Sequence, residues 1–155
     1  MDSNDMYVVE RRRHIDAPRE RIRERIVDFH RWTSWSPWED IDPNLDRTYK
    51  GAPEGVGAVY EWDGNRKAGR GTMEITSVDD GTVVIDLRFL KPFKSNSTTT
   101  FELEPDEDGT TVTWRMTGPR TFMTKVMGLF TSMDKMVGPD FDKGLDQLKA
   151  DAERD

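Results

Sequence analysis

The sequence predicts an α+β domain in which one antiparallel sheet is covered by a long C-terminal helix. Apolar and polar residues alternate along a series of segments between about residues 58 and 116, which is typical of strands. Tight turns such as Asp80-Gly81 join neighbouring segments, which indicates hairpins. Near the C-terminus the apolar spacing changes to three and four, which is typical of an amphipathic helix. A helix must lie across the apolar face of such a sheet, because the sheet cannot bury that face alone.

Composition narrows the class of protein. A chain of 155 residues without cysteine is most simply one domain over residues 1–155, structured over about 6–150, with a core that needs no disulfide. The net charge of −7 argues against a nucleic-acid partner. The acidic, polar N-terminus contains neither a secretion signal nor a membrane span, so we expect a cytoplasmic protein that does not insert stably into a membrane.

The first strand and helix are read from residues 6–29. An extended segment over residues 6–15 ends at Asp16, which we expect to cap a helix with Pro18 in its first turn. Ile22, Ile26 and Phe29 follow at helical spacing. Short helices are therefore predicted between the first two strands.

Three of the five tryptophans lie within seven residues, at Trp32, Trp35 and Trp38. Trp32 and Trp35 share a face if this stretch makes a helical turn, and Pro37 directs Trp38 elsewhere. Such a segment either closes one end of the sheet as part of the core or forms the aromatic mouth of a ligand cavity.

About six or seven strands are predicted in all. A short strand is predicted over residues 44–49, followed by a turn over residues 51–57. Alternation then places one set of side chains on an inner face, which either packs solid or encloses a small-molecule cavity. That set comprises Tyr60, Trp62, Met73, Ile75, Val83, Ile85, Leu87, Phe89, Phe101, Leu103, Trp114 and Met116.

The C-terminal helix carries apolar residues at steps of four, four, four, three and four, beginning at Met133 and ending at Ala152. Gly138-Pro139 should kink or interrupt this helix, because proline removes one backbone hydrogen bond. The preceding stretch, residues 122–136, is rich in methionine, and plain core packing is its first interpretation. If it has a further role, we expect a lid or a homodimer contact rather than a membrane contact.

Together these motifs resemble those of the polyketide cyclase/dehydrase and lipid-transport family, within the SRPBCC superfamily that includes START domains and the birch-pollen allergen fold. The resemblance spans roughly residues 6–150. It implies a helix-grip fold, in which the sheet wraps around the C-terminal helix with a deep apolar cavity between them. The motifs that carry it are Trp35-Ser-Pro-Trp38, Gly55-x-Gly57-Ala-x-Tyr60-x-Trp62-x-Gly64, Gly69-x-Gly71-x-Met73-Glu74-Ile75 and Phe141-x-x-Gly144-Leu145-x-x-Leu148.

Catalytic chemistry is sparse in the sequence. His14 and His30 are the only histidines, and neither has an obvious nucleophile nearby, so we expect surface or capping roles. No metal and no cofactor is predicted, because cysteine and phosphate-binding motifs are absent. Tyr60 and Glu74 are outside candidates for an acid or base, although Glu74 reaches the inner face only if a bulge reverses its orientation.

Three functional hypotheses remain. The chain binds or transports a hydrophobic small molecule such as a lipid, an isoprenoid or an aromatic polyketide; it is a cyclase or aromatase that uses the same cavity; or it is a packed scaffold for protein contacts. Ligand binding is favoured, because the predicted walls are apolar and catalytic residues are few. The predicted ligand-binding residues are Trp35, Trp38, Tyr60, Trp62, Met73, Ile85, Leu87, Phe89, Thr99, Phe101, Trp114, Met116, Val137, Phe141 and Leu145.

Overall fold

The computed structural model describes residues 6–39, 42–66, 68–91, 94–119 and 133–154. Seven strands and two α-helices make up most of this part of the chain. The strands are β1 (Met6–Ile15), β2 (Asp46–Gly51), β3 (Ala58–Asp63), β4 (Arg70–Val78), β5 (Thr82–Lys91), β6 (Ser95–Asp106) and β7 (Gly109–Pro119). The helices are α1 (Arg19–Val27), a 3-10 helix (Phe29–Ser34) and α2 (Met133–Glu153).

The seven strands form one open antiparallel sheet in the order β1-β7-β6-β5-β4-β3-β2. Hairpins join β2 to β7 in sequence, while β1 pairs with the last strand. This confirms the predicted curved sheet with its C-terminal helix. The predicted strand over residues 44–49 lies two residues further along, as β2.

Helix α2 packs on one face of the sheet, called here the inner face, near β1 and β7. Phe141 of α2 stacks on Trp114 of β7, and Arg11 and Arg13 of β1 bind carboxylates of the same helix. Arg11 lies 2.8 Å from Asp134. The core that results lies between sheet and helices and includes Val9, Ile15, Ile22, Ile26, Phe29, Ile75, Val83, Leu103, Val112, Leu148 and Ala152.

Two local predictions about the first helix are wrong. Asp16 does not cap α1, because the helix begins at Arg19 after Pro18 without a side-chain cap, and the Asp16 carboxylate instead lies 2.7 Å from His14 Nε2. Phe29 belongs to the 3-10 helix rather than to α1. The Asp28 carboxylate accepts a hydrogen bond from the His30 amide and so starts a new helical segment there.

Helix α2 runs without interruption through Pro139, so the interruption predicted there does not occur, while a kink at this position stays a prediction. Gly138 has a packing role: a Cβ at this position would collide with the guanidinium of Arg11. Residues 122–132 of the methionine-rich segment lie outside the described residues.

Candidate functional site

The tryptophan segment is anchored to α1 by its own indole groups. Trp32 Nε1 donates to the Ile26 carbonyl at 2.9 Å, and Trp35 Nε1 donates to the Arg25 carbonyl at 3.0 Å. These carbonyls lie in the last turn of α1, where backbone acceptors lack helical partners. Both indoles are buried, so they share a face as predicted. The Trp35 N–H therefore already has a partner inside the protein.

Trp38 lies beyond Pro37 and is half-buried. Its ring packs edge-on against Trp114 and Phe141, with centroids 5.6 Å and 6.2 Å away. Its Nε1 lies 3.4 Å from a carboxylate oxygen of Asp140 on α2. Trp38 thus connects the tryptophan segment to helix α2.

An aromatic cluster occupies the middle of the space between the sheet and α2. Trp114 stacks on Phe101 with centroids 5.0 Å apart, and Trp35 meets both rings nearly at right angles. Interlocked rings of this kind leave little room for a ligand. Several predicted ligand-binding residues are buried in or around this cluster: Trp35, Ile85, Thr99, Phe101, Trp114, Met116, Phe141 and Leu145.

A second group of predicted residues lies toward the opposite end of the inner face. Trp62, Met73, Leu87 and Phe89, called here the apolar end, are neighbours by strand register. Leu87 is buried, while the other three are only partly buried, as is Val137 of α2. Apolar side chains that stay partly open on a concave face are the usual lining of a small-molecule site.

The geometry of the apolar end depends on Gly71. The Trp62 indole lies over this glycine, since a Cβ there would come within 2.6 Å of Trp62 Cζ2. Trp62 Nε1 donates to the Ala68 carbonyl at 2.9 Å, and Phe89 meets the indole edge-on at 5.9 Å. The indole is therefore fixed with one face along the inner surface.

Three hydroxyl groups that sequence reasoning missed lie on the same face. The side-chain oxygens of Tyr7, Ser95 and Ser97 are buried and have no hydrogen-bond partner among the described residues. Tyr7 alternates with Val9 along β1, and the two serines precede the segment predicted as a strand. Sequence alone offered only that alternation as a signal.

The acid–base candidates are separated by the sheet. Tyr60 is buried on the inner face, and burial raises its pKa to about 12, so the phenol stays protonated at neutral pH. Glu74 pairs with Val59 and Asp86 and is exposed on the outer face. The two cannot act together on one small ligand.

Both histidines are exposed. His14 is exposed, between the carboxylates of Asp16 and Asp106, and His30 stacks on Tyr49 with centroids 3.9 Å apart. Within the described ranges, no group of three histidine, aspartate or glutamate side chains could hold a metal ion. In that same part of the chain, no helix combines the length and apolar character needed to cross a bilayer.

A depression of about 370 Å³ lies on the outer face, across β2, β3 and β4. Its lining is mostly polar and charged, including Asp46, Glu61, Asp63 and Arg70. Trp62 and Gly71 also contribute to its lining, but with so many charged groups it does not resemble an apolar ligand site.

A family model described as polyketide cyclase / dehydrase and lipid transport matches residues 6–153. None of the curated proteins compared with the chain matches it significantly.

Solved structures share the architecture at low sequence identity. Protein MLL2253 from Mesorhizobium loti is 18% identical with a TM-score of 0.69, over 96% of this chain and 98% of that one. The di-domain ARO/CYC StfQ from the steffimycin biosynthetic pathway is 12% identical with a TM-score of 0.69, over 96% of this chain and 51% of that one. Ara h 8.0201 is 10% identical with a TM-score of 0.64, over 97% and 99%. At these identities the likeness establishes the helix-grip fold alone.

Proposed function

Because the chain belongs to the polyketide cyclase/dehydrase and lipid transport family, we propose that it binds or transports a hydrophobic small molecule between the inner face of the sheet and α2. The ligand class is a lipid, an isoprenoid or an aromatic polyketide-like compound. The observation that carries the proposal is the apolar end, where Trp62, Met73 and Phe89 remain only partly buried on a concave face.

The division of the inner face supports this location. The aromatic cluster around Trp114 and Phe141 packs the middle of the space, so a ligand has room only beyond it. Ring contacts connect the apolar end to that cluster: Tyr60 contacts Trp62 on one side and Phe29 on the other. Phe29 in turn contacts Trp32, which meets Trp114 edge-on. Burying apolar surface contributes about 25 cal/mol per Å², so a ligand that covers this end gains affinity without any charged contact.

The test is mass spectrometry of the compounds that organic solvent extracts from the purified protein. The wild type is compared with two variants. Met73→Trp adds an indole to the apolar end, while Glu74→Trp adds the same ring to the neighbouring position on the outer face. We expect a discrete hydrophobic compound in the wild type and in Glu74→Trp, and its loss from Met73→Trp. Thermal unfolding of all three proteins confirms that each remains folded.

An empty extract, together with no change in tryptophan emission on adding hydrophobic compounds, would overturn ligand binding. It would favour the packed scaffold instead. Retention of the compound in Met73→Trp would place the site elsewhere in the protein.

A cyclase or aromatase is the second candidate, and the protonated phenol of Tyr60 on the inner face favours it. A proton donor held beside a folded chain can direct condensation or dehydration. We expect Tyr60→Phe to abolish turnover of a poly-β-ketone substrate, and Tyr49→Phe, at the cross-strand neighbour, to preserve it. Equal turnover in both variants would exclude Tyr60 as the donor.

A further inference from the structure

Three buried hydroxyl groups without partners lie at one edge of the inner face. Tyr7 is 5% exposed and Ser97 is 4% exposed. Ser95 lies two residues before Ser97 and therefore on the same side of β6. Their oxygens make no hydrogen bond to any residue in the described ranges. Folded proteins rarely leave buried polar atoms in this state, so each such atom calls for an explanation.

Strand register and one glycine bring the hydroxyls together. Tyr7 pairs with Gly118 across β1 and β7, and a Cβ on Gly118 would lie 2.6 Å from Tyr7 Oη. The phenol therefore lies flat across β7 at Gly118 and points toward β6. Thr98 pairs with Thr117, which puts Ser97 next to Gly118 on the far side of β7.

The pKa of the Tyr7 phenol agrees with this placement. Burial raises the pKa of the Tyr7 phenol, and the nearby Ser97 hydroxyl partly opposes the shift. The two oxygens are thus neighbours, although they do not meet hydrogen-bond geometry with one another. The phenol stays protonated at neutral pH and is available as a donor.

The hydroxyls border the apolar end directly. Ser97 pairs with Leu87, and Ser95 pairs with Phe89, across β6 and β5. A row of apolar side chains therefore ends in three polar oxygens on the same concave face. This is the surface pattern that fits an amphipathic molecule.

We propose that Tyr7, Ser95 and Ser97 form the head-group site for the ligand of the apolar end, and that the head group is a neutral oxygen function such as an alcohol or a carbonyl. This inference rests on the proposed function. The ligand oxygen accepts from or donates to the three hydroxyls, which can do either.

A neutral head group follows from the charges on the inner face. The described arginines there already bind carboxylates: Arg11 binds Asp134 and Asp142, Arg13 binds Asp142 and Asp146, and Arg47 binds Glu39. Arg47 Nε is buried without a hydrogen-bond partner in the described part of the chain, but Arg47 lies on β2, at the other end of the row of paired residues from Ser95. Burying a ligand carboxylate beside the uncharged hydroxyls would therefore leave its charge without a neighbouring arginine among the described residues.

The experiment measures displacement of an environment-sensitive apolar dye by matched probes. Naphthalene, naphthol and naphthoate share one ring system and differ in the polar group. Decanol and decanoate compare an alcohol with a carboxylate on an alkyl chain. The proteins are the wild type, Tyr7→Phe, Ser97→Ala and the control Thr98→Ala, which removes an exposed hydroxyl on the outer face beside Ser97.

For the wild type and Thr98→Ala, we expect naphthol to bind about 10-fold more tightly than naphthalene, and decanol more tightly than decanoate. In Tyr7→Phe and Ser97→Ala the alcohols should lose that advantage, while naphthalene binding stays unchanged. Unchanged naphthalene binding also shows that the variants are folded.

Four results would overturn the inference. Equal binding of naphthol and naphthalene to the wild type, or an advantage for the alcohols that survives both substitutions, would reject the head-group site and leave the proposed function intact. Tighter binding of the carboxylates would reject a neutral head group. Binding of none of the probes would reject the proposed function together with this inference.

Discussion

The indole of Trp114 on β7 lies parallel to the ring of Phe141 on α2, with centroids 4.1 Å apart and planes 7° apart. Both side chains are buried, at 1% exposure each. Gly144, one turn along α2, completes the contact, because a Cβ there would lie 2.7 Å from the indole. This stack fixes the helix at one height above the sheet and divides the inner face into a packed middle and an open end.

Replacing Phe141 with alanine removes one side of this stack. We expect Phe141→Ala to lower the free energy of unfolding by about 3–5 kcal/mol, through lost apolar burial and the cavity left beside Trp114. Val137→Ala, one turn earlier and only partly buried, should lose much less. Urea denaturation followed by tryptophan fluorescence measures both, and equal losses would contradict the central role of the stack.

A buried ion pair attaches α1 to the end of α2. Arg25 Nε donates to Asp151 at 2.8 Å, and the two side chains are 4% and 16% exposed. We expect Asp151→Asn to destabilise the protein by about 3 kcal/mol, because it removes a carboxylate that a buried guanidinium binds. Asp146→Asn on the same helix removes an exposed partner of Arg13 and should cost under about 1 kcal/mol.

The same pair predicts a response to acid. Burial opposes ionisation of Asp151, but hydrogen bonds from Arg154 and Arg25 lower its pKa below the ordinary value of 3.8. A carboxylate whose pKa is lowered by folding stabilises the folded protein at pH values above the ordinary pKa. That stabilisation is lost as the pH falls through the pKa of the folded state. The stability gap between wild type and Asp151→Asn should therefore shrink in strong acid, and a constant gap would contradict this assignment.

The strands were predictable because one face of the sheet is buried, so the period of two is written into residues such as Tyr60, Trp62, Val83 and Ile85. The residues at which helices begin and end were less predictable. Asp16 satisfies the usual rule for a cap, yet its carboxylate is taken by His14, a contact that depends on how β1 meets α1. Which carbonyls the tryptophans would reach was equally hidden, since it depends on tertiary placement.

The candidate site was likewise predictable only in part. Alternation assigned the right residues to the inner face, but it could not separate those packed by aromatic rings from those left partly open. Trp114 and Trp62 look alike in the sequence, and it is the rings packed around Trp114, above all Phe141 and Phe101, that make it part of the core. Tyr7 and Ser97 become a pair only through the register of β1, β7 and β6 around Gly118.

His14 should make stability depend on pH near neutrality. Its two ring nitrogens each lie 2.7 Å from a carboxylate, and hydrogen bonds to Asp16 and Asp106 raise its pKa above the ordinary value of 6.5. A histidine whose pKa is raised by folding stabilises the folded protein at pH values below the ordinary pKa. That stabilisation is lost as the pH rises through the pKa of the folded state. His14→Gln should therefore cost stability at mildly acidic pH and nothing at alkaline pH.

Urea denaturation across about pH 5 to about pH 9 measures this profile. His30→Gln is the control, since it removes an exposed histidine that contacts one carboxylate, Asp28. A destabilisation by His14→Gln that is the same at every pH would refute an ionic role for the imidazole.

Gly118 provides a last test of how the Tyr7 phenol is held. A methyl group at this position would lie 2.6 Å from Tyr7 Oη and 2.8 Å from two ring carbons, so Gly118→Ala must displace the ring. We expect a loss of about 1–3 kcal/mol in unfolding free energy from this overpacking. Tyr7→Leu removes the outer part of the ring, so the loss caused by Gly118→Ala should be smaller in the Tyr7→Leu background. Urea denaturation of the four proteins in this double-mutant cycle gives the coupling energy, and strictly additive losses would mean that the phenol does not lie across Gly118.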